Sequence, residues 1–172
     1  PIVIVEPGIK TGVPILTDNP KEVGADRIVN TLAAHHFFGG IGIVFDYGTS
    51  TNLDVVSHTG EFLGGALAPG IEISLDALAE RAAQLRKVEL VVPRSVIGKN
   101  TVEALQSGVI YGFAGQVDGL VERIIEEIGP VTAVVATGGL SQIVVSESRT
   151  ITHHEPDLTL LGLALLFEKN QV

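Results

Sequence analysis

The stretch from Ile41 to Ala66 constrains this chain more than any other part of it. Ile41-Gly42-Ile43-Val44-Phe45 is a largely apolar run of the kind that forms a buried strand. It ends on Asp46, turns through Gly48 and continues into three hydroxyl side chains, Thr49, Ser50 and Thr51. A second short strand is predicted from Leu53 to Ser57, then a Thr59-Gly60 turn, then a third strand from Glu61 to Ala66. An antiparallel meander with a hydroxyl-rich first hairpin suits a phosphate grip, because a small turn exposes backbone N–H groups and a strand-end carboxylate can hold a cation beside them. An ordinary Gly-Thr-Ser hairpin would have the same sequence, so this motif alone leaves both readings open.

Around this meander the chain has the composition of a single globular unit. It has 172 residues, of which 45% are hydrophobic and 18% charged, enough to bury a core. The net charge of -9, with no Lys/Arg cluster, argues against a nucleic-acid partner, which would need a basic face. Nucleotides remain possible ligands, since helix ends, backbone amides and metals can carry phosphates. The absence of cysteine excludes disulfides and thiolate metal sites. No apolar stretch reaches the roughly 18 residues of a membrane span, and Pro1-Ile2-Val3-Ile4-Val5 lacks the form of a signal peptide. The chain opens as if inside a strand, which predicts a missing beginning.

Along the rest of the chain, Pro1–Val5 is predicted as a strand and Glu6–Leu16 as a Gly/Pro-punctuated connection. Asn19-Pro20-Lys21-Glu22 has the form of a helix start, with Val23, Ile28, Leu32 and Phe37 pointing inward and Gly39-Gly40 ending the helix. A helix over Ile71–Lys87 is expected to bury Ile73, Leu75, Leu78, Ala82 and Leu85. Val88–Val92 reads as a short strand-like link. A long helix is predicted from Asn100-Thr101 to Ile128, with Gly108, Gly112 and Gly115 implying close packing on another helix. A buried strand at Val131–Ala136, a helix opening at Thr137-Gly138-Gly139, a strand at Thr150–Thr152 and a terminal helix at Pro156–Lys169 complete the order. Three strands followed by alternating helices and strands are compatible with a ribonuclease H-like α/β pattern and exclude an all-α bundle.

Several segments carry potential chemistry. Gly24-Ala25-Asp26-Arg27 falls in the first turns of the helix opened by Asn19, where a glycine is unfavourable unless something approaches the backbone. Asp26 and Arg27 diverge around that helix, so one could accept a proton while the other holds an anion; a plain solvated face would look alike. Gly98-Lys99-Asn100-Thr101 resembles part of a P-loop, but Pro93 and Asn100 occupy positions that need glycine and Ser/Thr, so a Walker site is rejected. Thr101 is left as a helix cap or a hydroxyl for a ligand. Thr137-Gly138-Gly139 could approach a nucleotide or simply join strand to helix. His35-His36 and His153-His154 lack the spacing of a metal site and are read as non-functional.

Five segments in order along the chain together resemble type III pantothenate kinase, of the acetate and sugar kinase/Hsp70/actin superfamily. They are Asp18–Arg27, Asp46–Thr51, Gly64–Gly70, Gly98–Thr101 and Ala136–Gly139. The resemblance implies a ribonuclease H-like domain over 39–172, preceded in 1–38 by the end of a first domain and a substrate-binding helix, with most of the N-terminal domain absent. It implies a cytoplasmic, homodimeric kinase that phosphorylates pantothenate to 4'-phosphopantothenate with ATP, Mg2+ and K+ or NH4+, the first step of coenzyme A biosynthesis. Asp26 would be the catalytic base, Gly24, Ala25, Asp26 and Arg27 would hold pantothenate, and Arg27 would suit its carboxylate. Asp46 would bind the monovalent cation, Thr49 would contact ATP, and Thr101 would reach pantothenate across the dimer interface. The alternative is a non-catalytic regulator of the Bvg accessory factor type. The family's opening Asp-x-Gly-Asn-Thr phosphate loop has no counterpart here, so this chain by itself is expected to be inactive. Thr17 stands where many members have tyrosine, and Ser50 and Asn52 stand where alanine and threonine are usual.

Overall fold

The computed structural model describes residues 2–5, 9–81 and 88–171. Its centre is a five-stranded sheet. β1 (Gly42–Tyr47), β2 (Ser50–Val56) and β3 (Phe62–Pro69) form the expected antiparallel meander. β4 (Ala133–Thr137) lies parallel to β1 on its other side, and the two-residue β5 (His153–His154) lies parallel to β4. The order β3-β2-β1-β4-β5 is the ribonuclease H-like arrangement.

Burial explains which sequences serve which strands. β1 and β4 are central, covered on both faces, and read as near-continuous apolar runs. β3 alternates between exposed and partly buried positions, as an edge strand does. One face of the sheet presents Ile43, Phe45, Leu53, Val55, Val134 and Ala136. α2 (Ile71–Arg81), α3 (Thr101–Ile128) and α4 (Ser141–Val145) cover that face with Leu75, Ala114, Val117, Val121 and Val144. On the opposite face Val44, Val56, Ala133 and Val135 meet Ala33 and Ala34 of α1 (Ala25–Phe38) and Leu158 of α5 (Leu158–Lys169).

α1 and α5 pack closely because of Gly162. A Cβ there would come within 2.3 Å of the Val29 carbonyl oxygen, so no other residue allows this approach. The glycines expected to play this part, Gly108, Gly112 and Gly115 on α3, instead face open space. On the α3 side, Asp118 secures the loop between α4 and β5. It accepts from Ser148 Oγ at 2.7 Å, Arg149 N at 3.0 Å and Thr150 Oγ1 at 2.8 Å.

Other expectations need correction. Residues 2–5 are not a strand: Ile2 and Ile4 are exposed, and nothing among the described residues pairs with them. The helix expected from Asn19 is split. Pro20–Glu22 forms one 3-10 turn, Val23 returns to extended geometry, and α1 begins after Gly24. Phe37 is exposed at the end of α1, and Phe38 is the ring that packs inward. In α2, Ile71 and Leu75 are buried but Ile73 and Leu78 are exposed, while Ala82 and Leu85 fall outside the described residues. Val88–Val92 is not a strand. The cap of α3 is Asn100, whose side chain accepts from Glu103 N at 2.9 Å, with Thr101 as the first helical residue. The last strand sits at His153–His154 rather than Thr150–Thr152, although Thr152 N already donates to Val134 O at 2.9 Å.

Candidate active site

The α1 face of the sheet changes character along its length. Residues on one face recur with period two, so Asp46 follows Val44 on β1, and Asn52 and Asp54 precede Val56 on β2. Register places Asp46 opposite Asn52 on one side and opposite Thr137 on the other, with Asp54 opposite Val44. Four polar side chains therefore sit where the apolar pattern predicts core. The first turns of α1 lie over them and contribute Asp26, Arg27 and Asn30.

Each strand carboxylate has a partner on α1. Asn30 is fully buried; its Nδ2 donates to Asp46 Oδ2 at 3.1 Å, and its Oδ1 accepts from Thr159 Oγ1 of α5 at 2.7 Å. Thr159 thereby fixes the amide so that its N–H points at Asp46. Arg27 Nε donates to Asp54 Oδ1 at 2.7 Å, and its Nη2 pairs with the same oxygen. The guanidinium lies over the Phe62 ring, 5.1 Å from its centroid, a favourable cation–π placement. Asp26 is exposed in the first turn of α1, one helical turn before Asn30 and on the same side.

The carboxylates sense one another. Burial is the main cause that raises the pKa of Asp46; the Asn30 hydrogen bond opposes it and the charge of Asp26 adds to it. Burial likewise pushes Asp54 up to about 6, against Arg27 and with help from Asp26 and Asp46. Asp26 and Asp46 both act on Asp54 as like charges, so negative charge gathers at this end of the sheet.

Gly24 is the cap of α1 rather than an interior residue, so the cost expected of it does not arise. Gly138 is required by its backbone. Its φ is +93°, and a Cβ there would lie 2.7 Å from Asp46 Oδ1 and from the backbone N and O of Tyr47. The Thr137-Gly138-Gly139 turn is thus laid directly on the end of β1. Ser141 Oγ donates to Gly138 O at 2.7 Å and meets His154 Nε2 at 2.8 Å, so His154 supports this turn. In the β1–β2 hairpin Gly48 N donates to Ser50 O at 3.0 Å and Thr49 is exposed. A cleft of about 420 Å³ opens beside Arg27, lined by Thr17, Asp18, Asn19, Glu22, Phe62 and Gly64 among others.

The structure thus gathers Gly24, Ala25, Asp26, Arg27 and Asp46 at one end of the sheet, with the Thr49 turn following β1. Thr101 is not among them: it is exposed at the start of α3, in the helix layer of the other face. Sequence reasoning missed Asn30 and Asp54. An acid inside an otherwise buried strand, and an amide four residues after Asp26, were the available signals.

Donor chemistry decides which ions fit. Among the described residues, no three His, Cys, Asp or Glu side chains converge as a metal cage. Asp46 Oδ1, beside the backbone of Gly48 and Gly138, is a hard oxygen donor next to other backbone groups, which suits an alkali-type cation better than a transition metal. No helix among the described residues is long and apolar enough to cross a membrane.

Comparison with known proteins supplies the family. The family model described as type III pantothenate kinase matches residues 1–123. A type III pantothenate kinase of Frankia alni is 74% identical over 99% of this chain and 68% of its own length. One of Saccharopolyspora erythraea is 70% identical over 99% of this chain and 66% of its own length. The chain therefore spans about two thirds of the length of these relatives. A solved Campylobacter jejuni structure, described as a conserved putative Baf family transcriptional activator, superposes with a TM-score of 0.61 at 19% identity, covering 88% of this chain and 66% of that one. At that identity the likeness concerns the fold alone. The matching family model and these relatives establish that this chain belongs to the type III pantothenate kinase family.

Proposed function

We propose that the polar end of the α1 face is where pantothenate is phosphorylated, with Asp26 as the base. Family membership makes the reaction ATP-dependent phosphorylation of pantothenate, the entry to coenzyme A biosynthesis. The observation that carries the proposal is that one helix turn presents an exposed carboxylate, Asp26, beside a fixed guanidinium, Arg27, over a second carboxylate, Asp46. In the reaction, the pantothenate hydroxyl oxygen bonds to the γ-phosphorus of ATP as the bond to the β-phosphate oxygen breaks. ADP departs, and the hydroxyl proton passes to an Asp26 carboxylate oxygen. Such transfer needs positioning and charge neutralisation more than covalent help.

The remaining roles are those that the family resemblance implies. Gly24 to Arg27 hold pantothenate, with the Arg27 guanidinium on its carboxylate. The Thr49 turn contacts ATP, and Mg2+ accompanies the ATP phosphates. Asp46 Oδ1 holds K+ or NH4+, which offsets the crowding of three acids. α3 carries its glycines on an open surface, which supports pairing with a second copy of the chain; Thr101 then reaches the pantothenate of the partner. The division at residue 38 and a cytoplasmic setting complete this reading.

A coupled assay of the full-length kinase with pantothenate, ATP, Mg2+ and K+ tests it. ADP release that needs pantothenate and falls when Na+ replaces K+ is expected. Absence of pantothenate-dependent ADP release contradicts the proposal.

A further inference from the structure

Asp54 takes no part in the transfer or the phosphate grip described above, yet its exposure is zero. Burying a carboxylate is costly unless it is well paired. The pairing here is lopsided: both Arg27 nitrogens rest on Oδ1, while Oδ2 is buried with no hydrogen-bond partner. For stability alone, an apolar residue like its neighbours Leu53 and Val55 would serve β2 as well or better. The position of Asp54 makes sense through what it does to Arg27.

Arg27 is held on two sides. Asp54 grips the Nε/Nη2 edge, and Phe62 lies against the face of the guanidinium. Among the described residues nothing pairs with the Nη1 edge, and Arg27 is the basic residue among those lining the neighbouring cleft, which also carries Asp18 and Glu22. A free arginine loses about 2 kcal/mol of rotamer freedom when it is ordered by a ligand. An arginine ordered beforehand does not, which is how preorganisation strengthens binding.

We infer that Asp54 is a positioning residue: it fixes the Arg27 guanidinium as a rigid receptor for the carboxylate of the substrate. This rests on the reading of Arg27 as the group that holds the pantothenate carboxylate.

The test compares the full-length kinase with its Asp54→Asn, Arg27→Ala and double variants. It reads kcat and KM for pantothenate, KM for ATP, and inhibition by the neutral alcohol analogue of pantothenate. Asparagine keeps the shape of Asp54, and a melting curve confirms folding. Asp54→Asn is expected to raise the pantothenate KM roughly tenfold. The ATP KM and the inhibition by the neutral analogue stay within about twofold, because neither uses the carboxylate contact. Within the Arg27→Ala background Asp54→Asn adds nothing, since its effect passes through Arg27.

If Arg27→Ala leaves the pantothenate KM unchanged, the reading of Arg27 fails and the inference fails with it. If Arg27→Ala raises that KM and Asp54→Asn does not, Arg27 stands and the positioning role is overturned. Equal losses for pantothenate, ATP and the neutral analogue mark Asp54 as structural and also overturn it. Should Asp54→Asn not fold, Asp54→Leu takes its place, since an apolar side chain suits this buried strand position and removes the grip on Arg27. A comparable rise in pantothenate KM supports the inference, and a wild-type KM refutes it.

Discussion

The two faces of one sheet divide the labour of this protein. Towards α2, α3 and α4, the strands present Ile43, Phe45, Leu53, Val55, Val134 and Ala136 as one apolar cluster. Towards α1 and α5, the alternate residues of the same strands begin as Val44, Val56, Ala133 and Val135. They then give way to Asp46, Asn52, Asp54 and Thr137. The apolar core is concentrated where the pattern is unbroken, and the proposed site lies where it is broken. A polar residue at a core-facing position of a central strand is therefore the mark of the site, because burial there is costly without a task.

The largest contrast should come from paired substitutions on the two faces. Phe45→Ala on the apolar face is expected to cost about 3–5 kcal/mol of unfolding free energy. Asn52→Ala on the other face, at 8% exposure and bonded to Ser50 Oγ at 3.0 Å, should cost about 1 kcal/mol. Urea titration followed by circular dichroism measures both; equal losses would erase the distinction.

A smaller effect is expected at Asn30. Removing the amide that orients Asp46 takes a hydrogen bond from a charged group, worth about 1.5–3 kcal/mol. Asn30→Ala should therefore raise the K+ concentration for half-maximal activity roughly tenfold or more, while Thr159→Val, which loses only the bond to Asn30, should raise it less. Activity titrated with KCl reads both, and an unchanged K+ requirement in Asn30→Ala would detach Asn30 from the cation site.

The pH dependence is the finest distinction. The folded pKa of Asp54, about 6, lies above the ordinary 3.8, so between these values the folded state binds more protons than the unfolded one. This group alone thus makes stability fall as pH rises from about 4 to about 6, the reverse of an ordinary salt-bridged acid. Asp46 is raised in the same direction. Melting temperatures across this range should fall less with pH in Asp54→Asn than in the wild type. An identical slope would mean that Asp54 titrates normally.

The meander, the long α3, the strand before Gly138 and the terminal helix were legible because each carries an unambiguous period or punctuation. The grouping of Asp26 with Asp46 was legible only through resemblance, since 20 positions separate them and no period connects them. Other features were hidden for physical reasons. Asn19-Pro20 has the form of a helix start, so the sequence does not reveal that Val23 is extended and that Gly24 caps a new helix. Ile73 and Leu78 look like core but are exposed, because among the described residues of α2 it is Ile71 and Leu75 that reach the sheet cluster. The α3 glycines signal a close neighbour that the described residues do not supply, whereas Gly162, unremarked in an apolar helix, is where two helices touch. Asp54 was concealed by its own strand: a charged residue among Leu53, Val55 and Val56 was read as part of a run.

The account depends on Asp26 acting on the substrate hydroxyl rather than merely binding it. Pantothenate binding by calorimetry and turnover by ADP release, measured together on Asp26→Asn in the full-length kinase, address this directly. The prediction is a loss of turnover of at least about 100-fold, with pantothenate still bound and the melting temperature near that of the wild type. Turnover within a few-fold of the wild type would contradict it and move the base elsewhere.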